Sequence, residues 1–526
     1  TPGGACTVHV TLAPVRNGIA TGTLTVPSSA NTVTVGLRGI GARRVTVALG
    51  GAGAGRVTSV PPGIDCGTRC TGLFTGPVAL TASPDTGHFF TSWGLACSAQ
   101  ATCALPAQGP SVQLTAMFQP PTARRIDITI AGAAPGFVYV AESDPFSATL
   151  LCTSSCTTYV APGTDVTLYG FTPSTFGGWT GACEVTTHDC NLGTVIADRA
   201  ATVTFDRDER EVATIFPRET VTGLAMTPDG NVVVADAIGV SKLTLSGDVV
   251  WTTPIAGGAH DLASDAAGKI YGAGGPGLFA LSPAGAILWT RAIAVAPHLG
   301  QSFQSTVAVS PDGSVIAAHT TDGAHVVDGS GADRFTRTGL TADGLAVAPD
   351  GTVAIGTESE SVPGLLDAVR FDASGAPLAT LSPLPGDTDA SLVYDAQNFL
   401  CAQTTQGGFA HVSRIAPDLT PAFTSSERTG FAVPPPAGIV IDSSGEVVAV
   451  RGNDESSLTA TGLFIEVRSP TGAVTWTHRK QAISQIAIIL DDGVTPSAAA
   501  ADGNHHVAVA GVYNDSMPWI QVYAMP

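Results

Sequence analysis

The sequence predicts an all-β chain: the last strands of an incomplete β-sandwich, two small disulfide-stapled β repeats, and a seven-bladed β-propeller. Three observations predict it. Hairpin turn tips, chiefly Asp-Gly, recur between short alternating apolar runs over residues 207–526. Eight of the ten cysteines fall in two sets of four, inside two copies of one longer pattern over residues 42–206. No segment of those copies has a convincing helical period. The composition agrees, with 61 Gly and 36 Pro, 44% hydrophobic residues and only 13% charged ones. Such a chain is turn-rich, yet it keeps enough apolar surface for packed cores.

Residues 1–41 read as three strands, CTVHVTLAP, GTLTVP and TVTVGLRGIG, with Cys6 at the start of the first. Three strands leave a sandwich incomplete. The expectation is a cut fragment whose targeting segment is gone, or strands that a partner supplies in trans.

The β repeats span 42–121 and 122–206. Arg43-Arg44-Val45-Thr46-Val47 is echoed by Arg124-Arg125-Ile126-Asp127-Ile128, and Trp93-Gly94-x-x-Cys97 by Trp179-x-Gly181-x-Cys183. Phe90 maps to Phe176. The cysteine spacings are CGTRC and CSAQATC in the first repeat, CTSSC and CEVTTHDC in the second. Zinc ribbons prefer CxxC knuckles, and a metal tetrahedron tolerates such drifting gaps badly, so disulfides are expected. Four cysteines allow three pairings per set; the expected ones are local, Cys66–Cys70, Cys97–Cys103, Cys152–Cys156 and Cys183–Cys190. Disulfides persist in oxidising compartments, which predicts a secreted or cell-surface protein. The leftover Cys401, in FLCAQ, reads as a small buried strand residue. The segment Gly50-Gly51-Ala52-Gly53-Ala54-Gly55 lacks the spacing of a phosphate loop and a following helix, and reads as a turn or strand joint.

The run DRDERE at 206–211 reads as a solvated linker. After it come turn tips at Asp229-Gly230, Ala267-Gly268, Asp312-Gly313, Asp350-Gly351, a degenerate Gln397-Asn398, Ser444-Gly445 and Asp502-Gly503. Each lies between an apolar strand such as GLAMTP and a second such as NVVVAD, and a third strand follows, then Gly and often Trp (GDVVW, GAILW, GAVTW). Units of about 45 residues with four short strands are propeller blades. The seventh has only three strands at the terminus, and the segment 211–216 is expected to close it as the fourth, within a domain of 207–526. Trp251, Trp289 and Trp476 read as packing between blades.

These features carry three resemblances. Pro62-Gly63-Ile64-Asp65-Cys66-Gly67, Cys70, Gly87, Phe90, Trp93, Cys97 and Cys103 resemble the divergent internalin-B-type repeat, a bacterial surface module. The second copy keeps Cys152, Cys156, Phe176, Gly178, Trp179, Gly181, Cys183 and Cys190 without the PPGIDCG opening. That resemblance implies a bacterial surface or secreted spacer and no catalysis. Residues 1–41 resemble the end of an immunoglobulin-like domain of the abnormal-spindle-like type. The blades resemble pyrroloquinoline-quinone-like and NHL-like propellers, where a Gly-x-x-x-Trp tail recurs.

Charge excludes other roles. Against 24 Lys+Arg stand 43 Asp+Glu, a formal net charge of −19, with lysine only at Lys242, Lys269 and Lys480. Phosphate neutralisation needs clustered basic residues, so nucleic acid and anionic membranes are poor partners. No apolar run reaches the ~18 residues of a membrane span. There is no HExxH, GxSxG, P-loop, CxxCH or EF-hand loop. His505-His506, as strand neighbours, would point to opposite faces. His260 and His298 fall between blades on the usual binding face, while His319, His325 and His411 sit at strand positions.

The candidate site is therefore a rim of links between second and third strands: Asp236 in blade 1; Glu358, Glu360 and Asp367 in blade 4; Asn453, Asp454 and Glu455 in blade 6; Asn514 and Asp515 in blade 7. Insertions on one face of a repeat array are often its binding face. No cofactor is expected; if the rim holds a cation, its carboxylate and amide oxygens suit Ca²⁺. The sequence thus predicts a non-enzymatic bacterial surface protein for interaction or adhesion. Its β-repeat stalk would present a propeller head that binds protein or glycan. Two alternatives stand beside it: a propeller enzyme of lyase, hydrolase or quinone-dependent type, and a filament or sheath subunit that self-associates through residues 1–41.

Overall fold

Alternating apolar and polar residues make strands with one buried face, and the chain is built from such strands throughout. The computed structural model describes residues 18–27, 32–93, 97, 101–106, 111–142, 148–217, 220–295, 306–320, 323–340, 342–359, 366–384, 390–406, 409–428, 436–442, 444–454, 461–480, 494–513 and 517–525. Every named element among them is a β-strand, and no helix is long and apolar enough to cross a membrane. The chain divides into two units, Thr1–Arg207 and Asp208–Pro526.

In the first unit, Gly18–Pro27 pairs antiparallel with Thr32–Gly41 as a two-stranded hairpin. The first predicted strand, residues 6–14, lies outside the described residues. The described hairpin shows no more of a sandwich than this pair.

Each repeat is two four-stranded sheets, and the two repeats share one strand order. In the first repeat one sheet runs Thr71–Phe74, Arg43–Gly50, Val112–Gln119, Phe89–Ser92; in the second it runs Cys156–Val160, Arg124–Ala131, Arg199–Asp206, Thr175–Gly181. The two central strands are parallel in both copies, so each repeat's first and last strands lie side by side. Between the sheets sit Val45, Val57, Leu80, Trp93, Leu114 and Phe118 in one copy, Ile126, Val138, Leu168, Trp179, Val203 and Phe205 in the other. The Gly-rich joint is a strand joint: Gly51 has φ +83°, and a Cβ there would meet Phe118 O at 2.2 Å. Gly132, its counterpart, has φ +98° and the same conflict with Phe205 O at 1.9 Å. No L side chain fits either place. Phe89 of the first repeat stacks on Tyr159 of the second, ring centroids 4.3 Å apart and 7° from parallel.

The disulfides pair Cys66 with Cys70, Cys97 with Cys103, Cys152 with Cys156 and Cys183 with Cys190. Cys66, Cys103, Cys152 and Cys190 are buried in the repeat cores. Cys401 is free and buried.

The second unit is seven four-stranded antiparallel sheets. Their innermost strands are Gly223–Met226, Ala259–Ser264, Val307–Val309, Ala342–Val347, Ala390–Tyr394, Pro436–Ile441 and Val494–Ala501. Each touches the next, and the seventh touches the first, so the sheets are the blades of a closed propeller, as the sequence predicts. Glu211–Ile215 pairs with Met517–Ala524 and supplies the outermost strand of blade 7.

A repeated lock holds each blade to the next. The turn before each outermost strand contains a left-handed residue: Gly247, Gly285, Gly331, Gly375 and Gly472 in five blades. A side chain from the preceding blade's outermost strand covers it. A Cβ on Gly285 would meet Trp251 at 2.7 Å, on Gly331 Trp289 at 2.9 Å, on Gly375 Phe335 at 2.7 Å and on Gly472 Phe423 at 2.7 Å. The Trp251 and Trp289 indoles also donate to Pro283 O and Gly329 O across the same gaps. Blade 5 departs from the pattern. Its turn carries Leu419 at φ +74°, and the strand facing it, Leu381–Leu384 of blade 4, has no aromatic residue. Leu419 packs there against the cluster holding Leu381 and Leu384.

Three expectations need correction. The 206–211 run is not wholly a solvated linker, because Asp208 and Glu211 are buried. Their partners come from the C-terminal strand. The blade 7 turn does not centre on Asp502-Gly503. The Asp502 carboxylate takes the N–H groups of Asn504 and His506, and His505 occupies the left-handed slot that Gly230 fills in blade 1, at φ +64°. His505 and His506 are thus not simple strand neighbours: their Nδ1 atoms face Asp442 and Asp502 respectively.

Candidate functional site

In a four-stranded meander the links between second and third strands leave from the same end as the blade-to-blade connections. That end is the candidate face. Asp236 sits there in the blade 1 link, and its Oδ1 accepts the N–H groups of Ile238 at 2.7 Å and Gly239 at 2.8 Å. The carboxylate closes its own turn, and that oxygen is occupied. Glu358 and Asp367 belong to strands: Glu358 pairs with Leu366 and Thr357 with Asp367. Asn453 and Asp454 likewise end the strand Val447–Asp454, opposite Gly462 and Thr461. The strands run further than the polar residues suggest, because a paired backbone is satisfied whatever its side chains are. Asp367 is buried, and its Oδ1 has no hydrogen-bond partner among the described residues. Glu360, Glu455, Asn514 and Asp515 lie outside the described residues, as does His298. The four rim segments belong to blades 1, 4, 6 and 7. Among the described residues no group of three or more His, Cys, Asp or Glu is arranged to hold a metal ion.

The best-defined charged cluster at this end was not legible in the sequence. It lies between blades 5 and 6. Glu427, near the end of the outermost strand Pro421–Arg428, accepts hydrogen bonds from both Arg451 and Arg479. Both guanidiniums lie over the Phe464 ring, with Cζ 4.2 Å and 4.9 Å from its centroid. Burial pulls the Arg451 guanidinium below its ordinary value, against the opposing pull of Glu427. Arg451 is buried, whereas Glu427 and Arg479 are partly open to solvent. A rim dominated by acids in sequence thus holds, in its described part, an arginine pair over a buried aromatic ring, of which Arg479 and Glu427 reach solvent. Arg479 is the cation of this cluster that a ligand's carboxylate or sulfate can reach. Glu427 is 24 residues from Arg451 and 52 from Arg479, so no local pattern announces it.

The opposite end carries the hairpin turns, and there the acids are capping groups. Asp312, Asp328, Asp372 and Asp418 each accept from the hydroxyl or backbone N–H of Ser or Thr two residues away, which lowers their carboxyls from the usual range. Asp395 is buried against the Arg414 guanidinium, 2.9 Å from its Nε. These acidic side chains are therefore placed to close turns.

The ring seam is a second feature that no local sequence pattern announces. Asp208 Oδ2 accepts from Gln521 Nε2 and Tyr523 OH, each at 3.3 Å. Glu211 Oε2 accepts from the Asp208 N–H at 2.9 Å and from the same Gln521 Nε2 at 3.3 Å. His478 of blade 6 approaches Asp208 Oδ2 at 3.4 Å. Burial, then the two carboxylates, push the Tyr523 hydroxyl well above its ordinary pKa. The seam is a structural clasp between the two ends of the ring.

Residues 45–121 match the family model described as the divergent InlB B-repeat domain. No curated protein sequence is significantly similar to the chain. Similar solved structures include the C-terminal WD40 domain of Sif2, 11% identical with a TM-score of 0.39, covering 60% of this chain and 98% of that one. They also include U3-55K, 10% identical with a TM-score of 0.42, covering 59% and 99%. The RRP9 WD40 repeats are 10% identical with a TM-score of 0.42, covering 59% and 97%.

Proposed function

We propose that the chain is an exported, non-enzymatic binding protein of a bacterial surface, in which the two β repeats act as a spacer and the propeller binds a protein or glycan partner. The observation that carries this reading is the first repeat: a two-sheet module with two local disulfides that matches the divergent InlB B-repeat family model over residues 45–121. Disulfides of this density favour an oxidising compartment. The second repeat repeats the strand order and the cysteine staples, so the same role extends to it. We assign the ligand to the propeller end bearing Glu427, Arg451, Arg479 and Phe464, and the hairpin at 18–41 to the end of an immunoglobulin-like module.

The test is to screen the full chain on glycan and protein arrays, then repeat any hit with Arg479→Ala. A specific binder lost in that variant supports the reading. No binder on either array, or a binder indifferent to Arg479, sinks the assignment of this face. Peptide mapping without reductant tests export separately: free thiols at the eight repeat cysteines of the native protein would contradict it.

A further inference from the structure

Ion pairs that cross from one blade to the next are of two kinds. Arg291 of blade 2 meets Asp333 of blade 3, and Arg451 and Arg479 of blade 6 meet Glu427 of blade 5. Arginine stays charged across the pH range of a folded protein. The junction of blades 6 and 7 differs: among the described residues, both ion contacts across it use histidine. His478, on the outermost strand of blade 6, approaches Asp208 Oδ2 at 3.4 Å, just before the closing strand Glu211–Ile215. His505, in the first turn of blade 7, has Nδ1 3.3 Å from Asp442 Oδ2 in the first turn of blade 6. One contact holds the outer edge of the junction, and the other its hairpin-turn end.

Both carboxylates are out of water: the Asp442 side chain is fully buried, and that of Asp208 is 3% exposed. Asp442 Oδ1 accepts from the N–H groups of Ser444 and Glu446, and Asp208 Oδ2 accepts from Gln521 and Tyr523. Those donors are neutral, so the cation facing each carboxylate is a histidine. A buried carboxylate is costly unless an opposite charge balances it. His478 Nε2 makes no hydrogen bond among the described residues, so it acts on Asp208 through charge. The other ionisable groups about His478 are Glu211, which shares Gln521 with Asp208, and Tyr523, whose ring centroid is 5.3 Å away. Burial keeps the Tyr523 hydroxyl protonated. Arg210 lies over Trp476, on which His478 stacks. Near His505 stand Asp442 with Glu446 of the same turn, and the Asp502–His506 pair of its own turn.

We propose that the blade 6–7 junction is a pH-sensitive latch on the ring, closed by protonated His478 and His505 and loosened when both lose their protons. Histidine changes charge between about pH 5 and 8. Only the protonated rings pair with the charge of Asp208 and Asp442. Their contribution is therefore present on the acid side of that range and lost as pH rises through it. Junctions held by arginine keep their pairs throughout. The ring thus opens first beside blade 7, and the closing strand Glu211–Ile215 is the element released.

Hydrogen exchange of the full chain at about pH 5.5 and about pH 8 tests this. The readout is the protection of Glu211–Ile215 divided by that of Pro421–Arg428, the blade 5 strand whose Glu427 is held by arginines. The ratio cancels the chemical effect of pH on exchange. It should fall about fivefold from the lower to the higher pH, the effect of two weak pairs. His478→Gln combined with His505→Asn removes both charges, and Asn suits the left-handed backbone at 505, where φ is +64°. That variant should show the low ratio at both pH values. Circular dichroism checks its fold; if it does not fold, His505→Asn alone, at a side chain 52% exposed, should lose part of the fall. A wild-type ratio that stays constant overturns the proposal. So does a fall of undiminished size in the folded variant, which would place the response at another group such as His506.

Discussion

A single glycine shows how the ring is specified. At Gly285 two demands meet: φ is +83°, and the Trp251 ring lies where a Cβ would be. Ala incurs the left-handed penalty of about 1–2 kcal/mol and must also displace an indole that is hydrogen-bonded to Pro283 O. Gly285→Ala should therefore cost about 3 kcal/mol in propeller stability, read by denaturant unfolding. Leu419→Gly should change stability far less, because relief of the left-handed backbone is offset by lost packing against Leu381 and Leu384. Equal effects of the two substitutions would disprove the compensation at blade 5. Cys401 belongs to this scale too. Burial pushes its thiol up to about 12, so the thiolate that reacts with alkylating reagents is scarce near neutrality. Peptide mapping should find Cys401 unlabelled in the native chain at pH 8 and labelled in denaturant; native labelling would mean that blade 5 opens. The packing roles of Cys401 and the three tryptophans were legible in sequence because burial and the Gly-x-x-x-Trp tail are local patterns.

At the scale of elements, turns were legible and clasps were not. Asp-Gly announces a hairpin because both residues accept the backbone angles the turn needs. The pattern misplaces only blade 7, where Gly503 lies two residues before the left-handed slot that His505 holds. Acidic loops invited a binding reading, yet Asp236 commits its carboxylate to its own turn. DRDERE invited a solvated reading, yet the donors for Asp208 lie 313 and 315 residues away. Composition cannot report such partners. The Asp229 turn gives a pH test. Burial would raise its carboxyl, but hydrogen bonds from Lys242, Thr227 and Asn231 outweigh that and bring it down to about 2. A depressed carboxyl contributes stability that is present above about pH 4 and lost as pH falls towards 2. Lys242→Met, at a buried position where the apolar chain fits, should lower stability at pH 7 and flatten the loss between pH 4 and pH 2. An unchanged acid limb would show that the pair contributes nothing. At the seam, Gln521→Leu removes the amide shared by two buried carboxylates, at a cost of about 3 kcal/mol. Hydrogen exchange should speed up first in Glu211–Ile215; uniform exchange across the blades would show that the clasp is not the weak point.

The whole molecule stands on two different principles of stability, and reductant separates them. The propeller closes on itself, and its described residues contain no disulfide. Its blades are held by the locks and the seam. Each repeat is short and has a small core between two four-stranded sheets, so it depends on its staples. The disulfides join residues only 4, 6, 4 and 7 positions apart. Loops that small stabilise by about 2 kcal/mol each, or about 4 kcal/mol per repeat. That is much of what a module of this size commands, since stability runs near 0.05–0.15 kcal/mol per residue. Calorimetry of the full chain should therefore show the repeat transition fall by more than about 10 °C on reduction while the propeller transition stays in place. Repeats that melt at the same temperature with and without reductant would show that their two-sheet cores suffice alone. They would also remove the physical reason for placing this chain in an oxidising compartment, because staples that contribute nothing need no protection from reduction.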